Sequence, residues 1–392
     1  MEHGITVGVL GAGTMGSGIA QVAAAGGHQV VLVDSFAGAA DRAREAHAKA
    51  IGREVAKERL TRDASALLLA RIRYLTPPAN DYTAFRDCGL VIEAIVEDLE
   101  IKRVTFQGLD AVVAPDAVLA TNTSSLSVTG IAARCSRPDR VIGVHFFNPA
   151  PVLPLVEIVP GLVTDPAVTR ATKSRIDRWG KITVLASDTP GFIVNRIARP
   201  FYGEALRILE EGIADRATID WAMKEAGFKM GPFELMDLIG NDINYAVSES
   251  VFEAFGYDPK YRPFLTQRRL VEGGFLGRKT GRGHYDYRPG AANPEPTKDP
   301  VQAAIIGERI VALLINAAVD ALFWRVASPA DLDLAMVKGV NYPKGLLAWA
   351  DQLGPATVLA RLDQLHHRYG DERYRASPLL RQSAAAGTRF HP

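Results

Sequence analysis

The chain has almost no cysteine: Cys88 and Cys135 are the only two in 392 residues. Two cysteines at that spacing form neither a disulfide framework nor a metal-ligand motif, so the sequence points to a reducing compartment, the cytoplasm, and to no metal site. No apolar run approaches the ~20 residues a membrane-spanning helix needs. The start, MEHGITVGVL, enters a strand pattern at once, so no targeting peptide is expected. Charge of one sign is lacking too. With 45 Lys and Arg against 44 Asp and Glu, the net charge is +1, and no basic field argues for nucleic acid or an anionic membrane as partner. What is present is ordinary for a globular enzyme: 47% hydrophobic and 23% charged residues, in a length that suits two or three domains of ~150 residues.

The N-terminal segment carries the first motif. Ile5 to Leu10 reads as a short β-branched strand, and Gly11-Ala12-Gly13-Thr14-Met15-Gly16 follows it directly, opening a helical stretch. In a strand, G-x-G-x-x-G, helix arrangement, Gly11 permits the tight turn and Gly13 lets the backbone approach a pyrophosphate. Gly16 lets helix and strand pack closely, and the helix N-terminus faces the phosphates. A second strand, Gln29 to Val33, ends in Asp34, ~20 residues on, where a ribose 2′-hydroxyl is bound. A carboxylate there repels a 2′-phosphate, so the expected cofactor is NAD. Arg42 and Arg44 are the counter-signal for NADP, but they fall several residues into the next helix.

A second stretch, VIGVHFFNPAPVLPLVEIV from Val141 to Val159, holds two apolar strands with one ionisable side chain each, His145 and Glu157. A buried strand has no structural use for an unpaired charge, so the two are expected to meet. A carboxylate on one ring nitrogen leaves the other as a base near neutral pH, which proton abstraction from an alcohol requires. The alternative is a satisfied core histidine and an edge-strand glutamate.

Between these stretches, residues 38–75 read as a charged helical hairpin with its tip at Thr61-Arg62-Asp63, longer than a βαβ crossover requires. Arg53 and Lys57 on it could meet a polyanionic ligand, although charge on a helix is more often a solvated face. A strand from Cys88 to Ala94 leads to Glu97 and a helix whose first turn contains Lys102, a cation at the wrong end of the dipole; a ligand or snorkelling to solvent would explain it. The polar cluster Thr121-Asn122-Thr123-Ser124-Ser125 ends the following strand, and in an open parallel sheet ligands bind beyond such ends.

From Phe192 onward the periodicity is helical, with Gly and Pro at the breaks. Glu210, Glu211 and Asp237 read as solvated faces. Residues 288–300, RPGAANPEPTKDP, read as a linker. Beyond it, AAVDALFWRVASPADLDLAM (Ala317 to Met336) echoes EALRILEEGIADRATIDWAM (Glu204 to Met223), and DQLG at Asp351 echoes DLIG at Asp237. The expected domains are 1–187, 188–287 and 301–392, the last a second copy of the second.

Six motifs, GAGTMGSGIA, EAIVEDLEIK, NTSSLS, HFFNP with its glutamate, DTPGFIVNR and GRKTGRGHYDY, resemble in order and spacing those of the L-3-hydroxyacyl-CoA dehydrogenases. The resemblance runs to about Tyr287. It implies a Rossmann-type α/β domain followed by two all-α domains, a duplicated 6-phosphogluconate-dehydrogenase-like C-terminal domain. It also implies NAD-linked oxidation of a 3-hydroxyacyl-CoA to the 3-ketoacyl-CoA. On that basis His145 is the catalytic base and Glu157 its partner, while Ser124 and Asn195 hold the substrate's oxygen. Asp34, Glu97, Lys102 and Asn122 match cofactor-contacting positions, and the hairpin matches an insertion that contacts coenzyme A. The C-terminal copy lacks GFIVNR, so no catalytic residue is expected in it. It is expected to dock on the first copy as an intramolecular pseudo-dimer, which leaves room for a further homo-oligomer. The acyl group is open between 3-hydroxybutyryl and 3-hydroxyadipyl. Arg196 or Arg199 could read a distal carboxylate, or face solvent. A dehydrogenase of a free hydroxy acid, and a non-catalytic protein keeping the NAD fold, are the alternatives.

Overall fold

The computed structural model describes residues 4–391, which divide into two compact units at Thr189/Pro190. The first is a sheet of eight strands: β1 (Thr6–Leu10), β2 (Val30–Val33), β3 (Ile72–Leu75), β4 (Cys88–Glu93), β5 (Val118–Thr121), β6 (Val141–Phe146), β7 (Leu155–Pro160) and β8 (Ile182–Leu185), in spatial order 3-2-1-4-5-6-7-8. β3 through β6 in that order are parallel, β7 runs antiparallel to β6, and β8 is parallel to β7. The helices of this unit are α1 (Thr14–Ala25), α2 (Ala39–Ala56), α3 (Arg62–Ala70), α4 (Leu99–Asp110), α5 (Val128–Ala132) and α6 (Pro166–Arg178). Strands covered on both faces read as unbroken apolar runs, and β1, β2, β5 and β6 are buried almost throughout. The order reverses between β1 and β4, which opens a crevice beyond their carboxyl ends.

One expectation changes here. Residues 38–75 are not helical throughout: α2 and α3 form the hairpin, with Thr61 capping α3, but Ile72–Leu75 pairs with β2 as the sheet's outer strand. Its I-R-Y-L alternation, buried at Ile72 and exposed at Arg73, is an edge-strand pattern concealed by the helical residues before it. His47 lies on α2. It is buried, with Nε2 2.9 Å from the Ser17 hydroxyl and Nδ1 2.7 Å from the Tyr74 hydroxyl, so it fastens the hairpin to α1 and β3.

The second unit is helical: α7 (Val194–Ile197), α8 (Arg199–Glu210), α9 (Arg216–Glu225), α10 (Pro232–Ile239), α11 (Asn241–Ala254), α12 (Leu265–Glu272), α13 (Pro300–Phe323), α14 (Pro329–Gly339), α15 (Leu346–Leu353), α16 (Pro355–Tyr369) and α17 (Pro378–Ala386). Its two halves use the same stereochemistry. Asp220 on α9 accepts from the Phe233 and Glu234 amides at 2.9 and 3.0 Å, capping α10. Asp333 on α14 accepts from the Leu347 and Ala348 amides at 2.8 and 2.9 Å, capping α15. In both halves the carboxylate comes so close to a glycine, Gly231 or Gly345, that no Cβ would fit. Asp237 accepts from the His284 and Tyr285 amides, as Asp351 does from those of Phe390 and His391. The circuit closes alike: Tyr285 donates to Asp220 at 2.7 Å, and His391 Nε2 lies 2.8 Å from Asp333. A helix N-terminus offers unpaired amides, and a buried carboxylate is their strongest acceptor. Asp237 is therefore buried at 1% exposure and structural, not a solvated face.

Long α13 packs on α8 and α9 and buries Ile306, Ile310 and Leu314 fully or nearly so. Two matched arginines cross between the halves. Arg196, before α8, lies 3.6 Å from Asp320 on α13 and over the Phe255 ring; Arg309 on α13 donates to Glu204 on α8 and to Glu211. Arg199 is likewise enclosed, donating to the Asn195 and Asn244 carbonyls and to Ser248. Neither Arg196 nor Arg199 faces solvent, because each sits on the side of its helix that α11 or α13 covers.

Candidate active site

β6 and β7 pair so that His145 stands directly opposite Glu157, and opposite residues of an antiparallel pair share one face. The side chains meet: His145 Nδ1 is 2.6 Å from Glu157 Oε2, with both residues buried. β7 is not an edge, since β8 continues the sheet beyond it, so the reading of Glu157 as an edge-strand glutamate falls. With Nδ1 donating to the carboxylate, Nε2 carries the lone pair, which is the tautomer a base needs. The Phe147 ring lies against the imidazole, centroids 4.5 Å apart.

The ends of β4 and β5 supply the neighbouring polar groups. Asn122 Oδ1 accepts from the Phe146 amide at 2.8 Å, tying the end of β5 to the residue after His145. Glu97 gathers the Thr123 hydroxyl and the Ser124 amide, the latter at 2.9 Å, and so fixes the turn that carries Ser124. Burial pushes the Glu97 carboxyl up, but Lys102 and the donors from Thr123 and Ser124 outweigh it, holding the group below the ordinary glutamate value and ionised.

Lys102 is explained by a residue that sequence reasoning missed. The lysine does not snorkel: it is 1% exposed and donates to Glu93 at 2.6 Å, with Glu97 3.3 Å away. Glu93, fully buried at the end of β4, also accepts from the Thr121 hydroxyl at 2.7 Å and the Ile95 amide at 2.7 Å. The signal was available, because Glu93 is a lone carboxylate ending an apolar strand, as His145 is a lone imidazole on one. Glu93→Gln should cost about 1–3 kcal/mol, the range for a buried charged hydrogen bond, read as a lower urea midpoint at unchanged slope.

At the end of β1, Gly11 takes φ +102°, and a Cβ on Gly16 would lie 1.8 Å from the Gly11 carbonyl oxygen, so neither position admits a side chain. Gly13 differs, since a Cβ there would meet nothing within 4 Å of protein. The space over it is open, as close approach of a pyrophosphate to the backbone requires, and the first turn of α1 offers the unpaired amides of a helix N-terminus. Asp34 is aimed by its own backbone contacts: Oδ2 accepts from the Ala12 amide at 2.8 Å and Oδ1 from the Phe36 amide at 2.9 Å. Arg44 lies over the Tyr74 ring and beside Asp41. These residues fit a dinucleotide with a free ribose 2′-hydroxyl. Asp34→Gly should lower the NADH over NADPH preference in kcat/KM by at least ~10-fold, since a charged hydrogen bond is worth ~1.5–3 kcal/mol and its repulsion of the 2′-phosphate goes with it.

Fourteen of the fifteen predicted site residues thus lie in the first unit, twelve of them along the carboxyl ends of β1, β2, β4, β5 and β6 or on the neighbouring α1, β7 and α4. Asn195 lies on α7 of the second unit. Arg53 and Lys57 are exposed, as a solvated face would leave them. Among the described residues no group of three or more His, Cys, Asp or Glu could hold a metal, and no helix is long and apolar enough to cross a membrane.

Comparison with known families decides the chemistry. The model for the NAD binding domain of 3-hydroxyacyl-CoA dehydrogenase matches residues 6–189, and that for the C-terminal domain matches twice, at 191–287 and 305–389. The chain belongs to the 3-hydroxyacyl-CoA dehydrogenase family. As a member it is an NAD-dependent oxidoreductase acting on CH–OH, and the second C-terminal match makes the duplication explicit. The chain is 40% identical to the 3-hydroxyadipyl-CoA dehydrogenase of Escherichia coli K12 over 97% of each chain. It is 45% identical to a 3-hydroxybutyryl-CoA dehydrogenase of Bradyrhizobium diazoefficiens, which matches over 98% of its own length but covers only 74% of this dehydrogenase. Among solved structures, a 3-hydroxybutyryl-CoA dehydrogenase from E. coli K12 superposes with TM-score 0.90 at 39% identity, over 98% of this chain and 99% of that one.

Proposed function

We propose that this dehydrogenase interconverts short- or medium-chain (S)-3-hydroxyacyl-CoA and 3-ketoacyl-CoA, with His145 as the base. The observation that carries the reading is the His145 Nδ1 to Glu157 contact of 2.6 Å, which leaves Nε2 to take the 3-hydroxyl proton. Glu157 then stabilises the imidazolium. Ser124 and Asn195 orient the substrate oxygen. Gly13, the N-terminus of α1, Asp34, Glu97, Lys102 and Asn122 hold NAD, which when bound accepts the hydride leaving C3. His145 returns its proton in the reverse direction.

The acyl group is read from the relatives. A relative alike over 97% of the chain is named for 3-hydroxyadipyl-CoA, and a solved structure alike over 98% of it for 3-hydroxybutyryl-CoA, so both are proposed substrates. The crossing of Arg196 and Arg309 between matched helices supports the C-terminal copy acting as an intramolecular partner, in place of the isologous contact a single-copy chain would make with another subunit. Cys88 and Cys135 as free thiols fit the cytoplasm.

The test is NADH oxidation with acetoacetyl-CoA, longer 3-ketoacyl-CoAs and a dicarboxylic 3-ketoacyl-CoA, with free acetoacetate as control. Turnover of the esters at least ~10²-fold above the free acid is expected. Equal turnover of the free acid would overturn the coenzyme A reading, and no turnover of any would overturn the enzyme.

A further inference from the structure

The helical unit encloses a cavity of about 40 Å³ at the seam between its two copies. One water needs ~10–15 Å³ of such space, so about three or four water-sized groups fit, as many as the outer groups of acetate or phosphate. Its walls hold three largely buried cations: Arg199 and Lys260 from the first copy and Arg373 from the second.

These cations are under-compensated. Arg199, 8% exposed, spends Nε on the Asn195 carbonyl at 3.0 Å and Nη1 on Ser248 at 3.0 Å and Asn244. Among the described residues its Nη2 has no hydrogen-bond acceptor and no carboxylate lies at salt-bridge distance, the Tyr202 ring 5.1 Å away being the one π-face beside it. The nearest carboxylate to Lys260 is Asp320 at 3.8 Å, already shared with Arg196 at 3.6 Å. Arg373 keeps a buried Nε without a hydrogen bond, its nearest carboxylates being Asp371 at 3.6 Å and Glu204 at 3.8 Å. Glu204 gives Oε1 to Arg309 and the Tyr374 hydroxyl, and its Oε2, buried without a hydrogen bond, stands 3.8 Å from Arg373 Nη1, so its charge is divided between two arginines.

The two amide side chains in the wall are spent. Asn316 donates to the Arg375 carbonyl and accepts from Ser377, and Gln267 donates to Asn244. Arg199, Lys260 and Arg373 outnumber the wall's two carboxylates, Glu204 and Asp320, each of which also serves a further arginine, and a buried cation without a full counter-charge costs more than its packing returns. Water satisfies a donor but not a charge.

We propose that this cavity is a binding site for a compact oxyanion taken from solution, of the size of acetate or phosphate, held by Arg199, Lys260 and Arg373. Because both copies supply ligands, the site exists only in a chain that carries the duplication. An anion there also braces Arg199, which holds the carbonyl of Asn195.

The test is thermal unfolding of the full-length protein with added sodium acetate, sodium phosphate or sodium chloride at matched ionic strength, together with calorimetric titration. A saturable rise in Tm with acetate or phosphate beyond that with chloride is expected, with one site per chain. Lys260→Met and Arg199→Met should each weaken that affinity at least ~10-fold. Should Arg199→Met fail to fold, Lys260→Met and Lys260→Gln decide. No saturable rise beyond chloride would overturn the site, as would an undiminished rise in the Lys260 variants, which would mark surface binding only.

Discussion

His145→Gln is expected to lower kcat for (S)-3-hydroxybutyryl-CoA by roughly 10²–10⁴-fold, the range for a lost general base, while NAD binding by fluorescence titration stays within about twofold. The second half of the expectation matters as much as the first. The residues proposed to hold NAD are fixed by bonds that do not pass through His145: Asp34 by the Ala12 and Phe36 amides, Glu97 by the Ser124 amide, Lys102 by Glu93. Loss of turnover with intact binding isolates the proton transfer. Near-normal turnover would remove His145 from the mechanism.

Ending the chain at Gly290 is expected to be the most disruptive change to the fold. It removes α13, which packs on α8 and α9, and uncovers apolar residues such as Leu206, Ile219 and Met223, none more than 1% exposed in the full chain. It also strands Glu204 without Arg309 and Arg196 without Asp320, and breaking a buried ion pair by removing one partner costs ~3–5 kcal/mol. Analytical ultracentrifugation should report aggregates or a new dimer, in which a second copy of the same surface replaces α13. A monodisperse monomer with full activity would refute the role given to the C-terminal copy.

Some of this was legible in the sequence for physical reasons. Gly11, Gly13 and Gly16 are readable because a turn with close approach admits no other residue. His145 and Glu157 are readable as a pair because a charge on a buried strand has few ways to survive. What stayed hidden has its partner far away in sequence. Asp237 looks solvated until the His284 and Tyr285 amides arrive 47 and 48 residues later, and Arg196 looks exposed until α13 brings Asp320 across the seam. Periodicity shows which face of a helix is apolar, not which buried ion on it is matched. Glu93 obeys the same logic as Glu157, but its partner Lys102 sits on the following helix, nine residues on, rather than on a paired strand. Strand β3 was hidden by its length, four residues following two helices.

The central claim is that His145 and Glu157 work as one unit, and a double-mutant cycle measures it directly. Glu157→Gln, His145→Gln and the double variant should be compared in kcat with (S)-3-hydroxybutyryl-CoA under saturating NAD. Residues that act together are strongly non-additive. The double variant should therefore be no more than about threefold slower than His145→Gln alone; losses that multiply would contradict the pairing, and with it the mechanism.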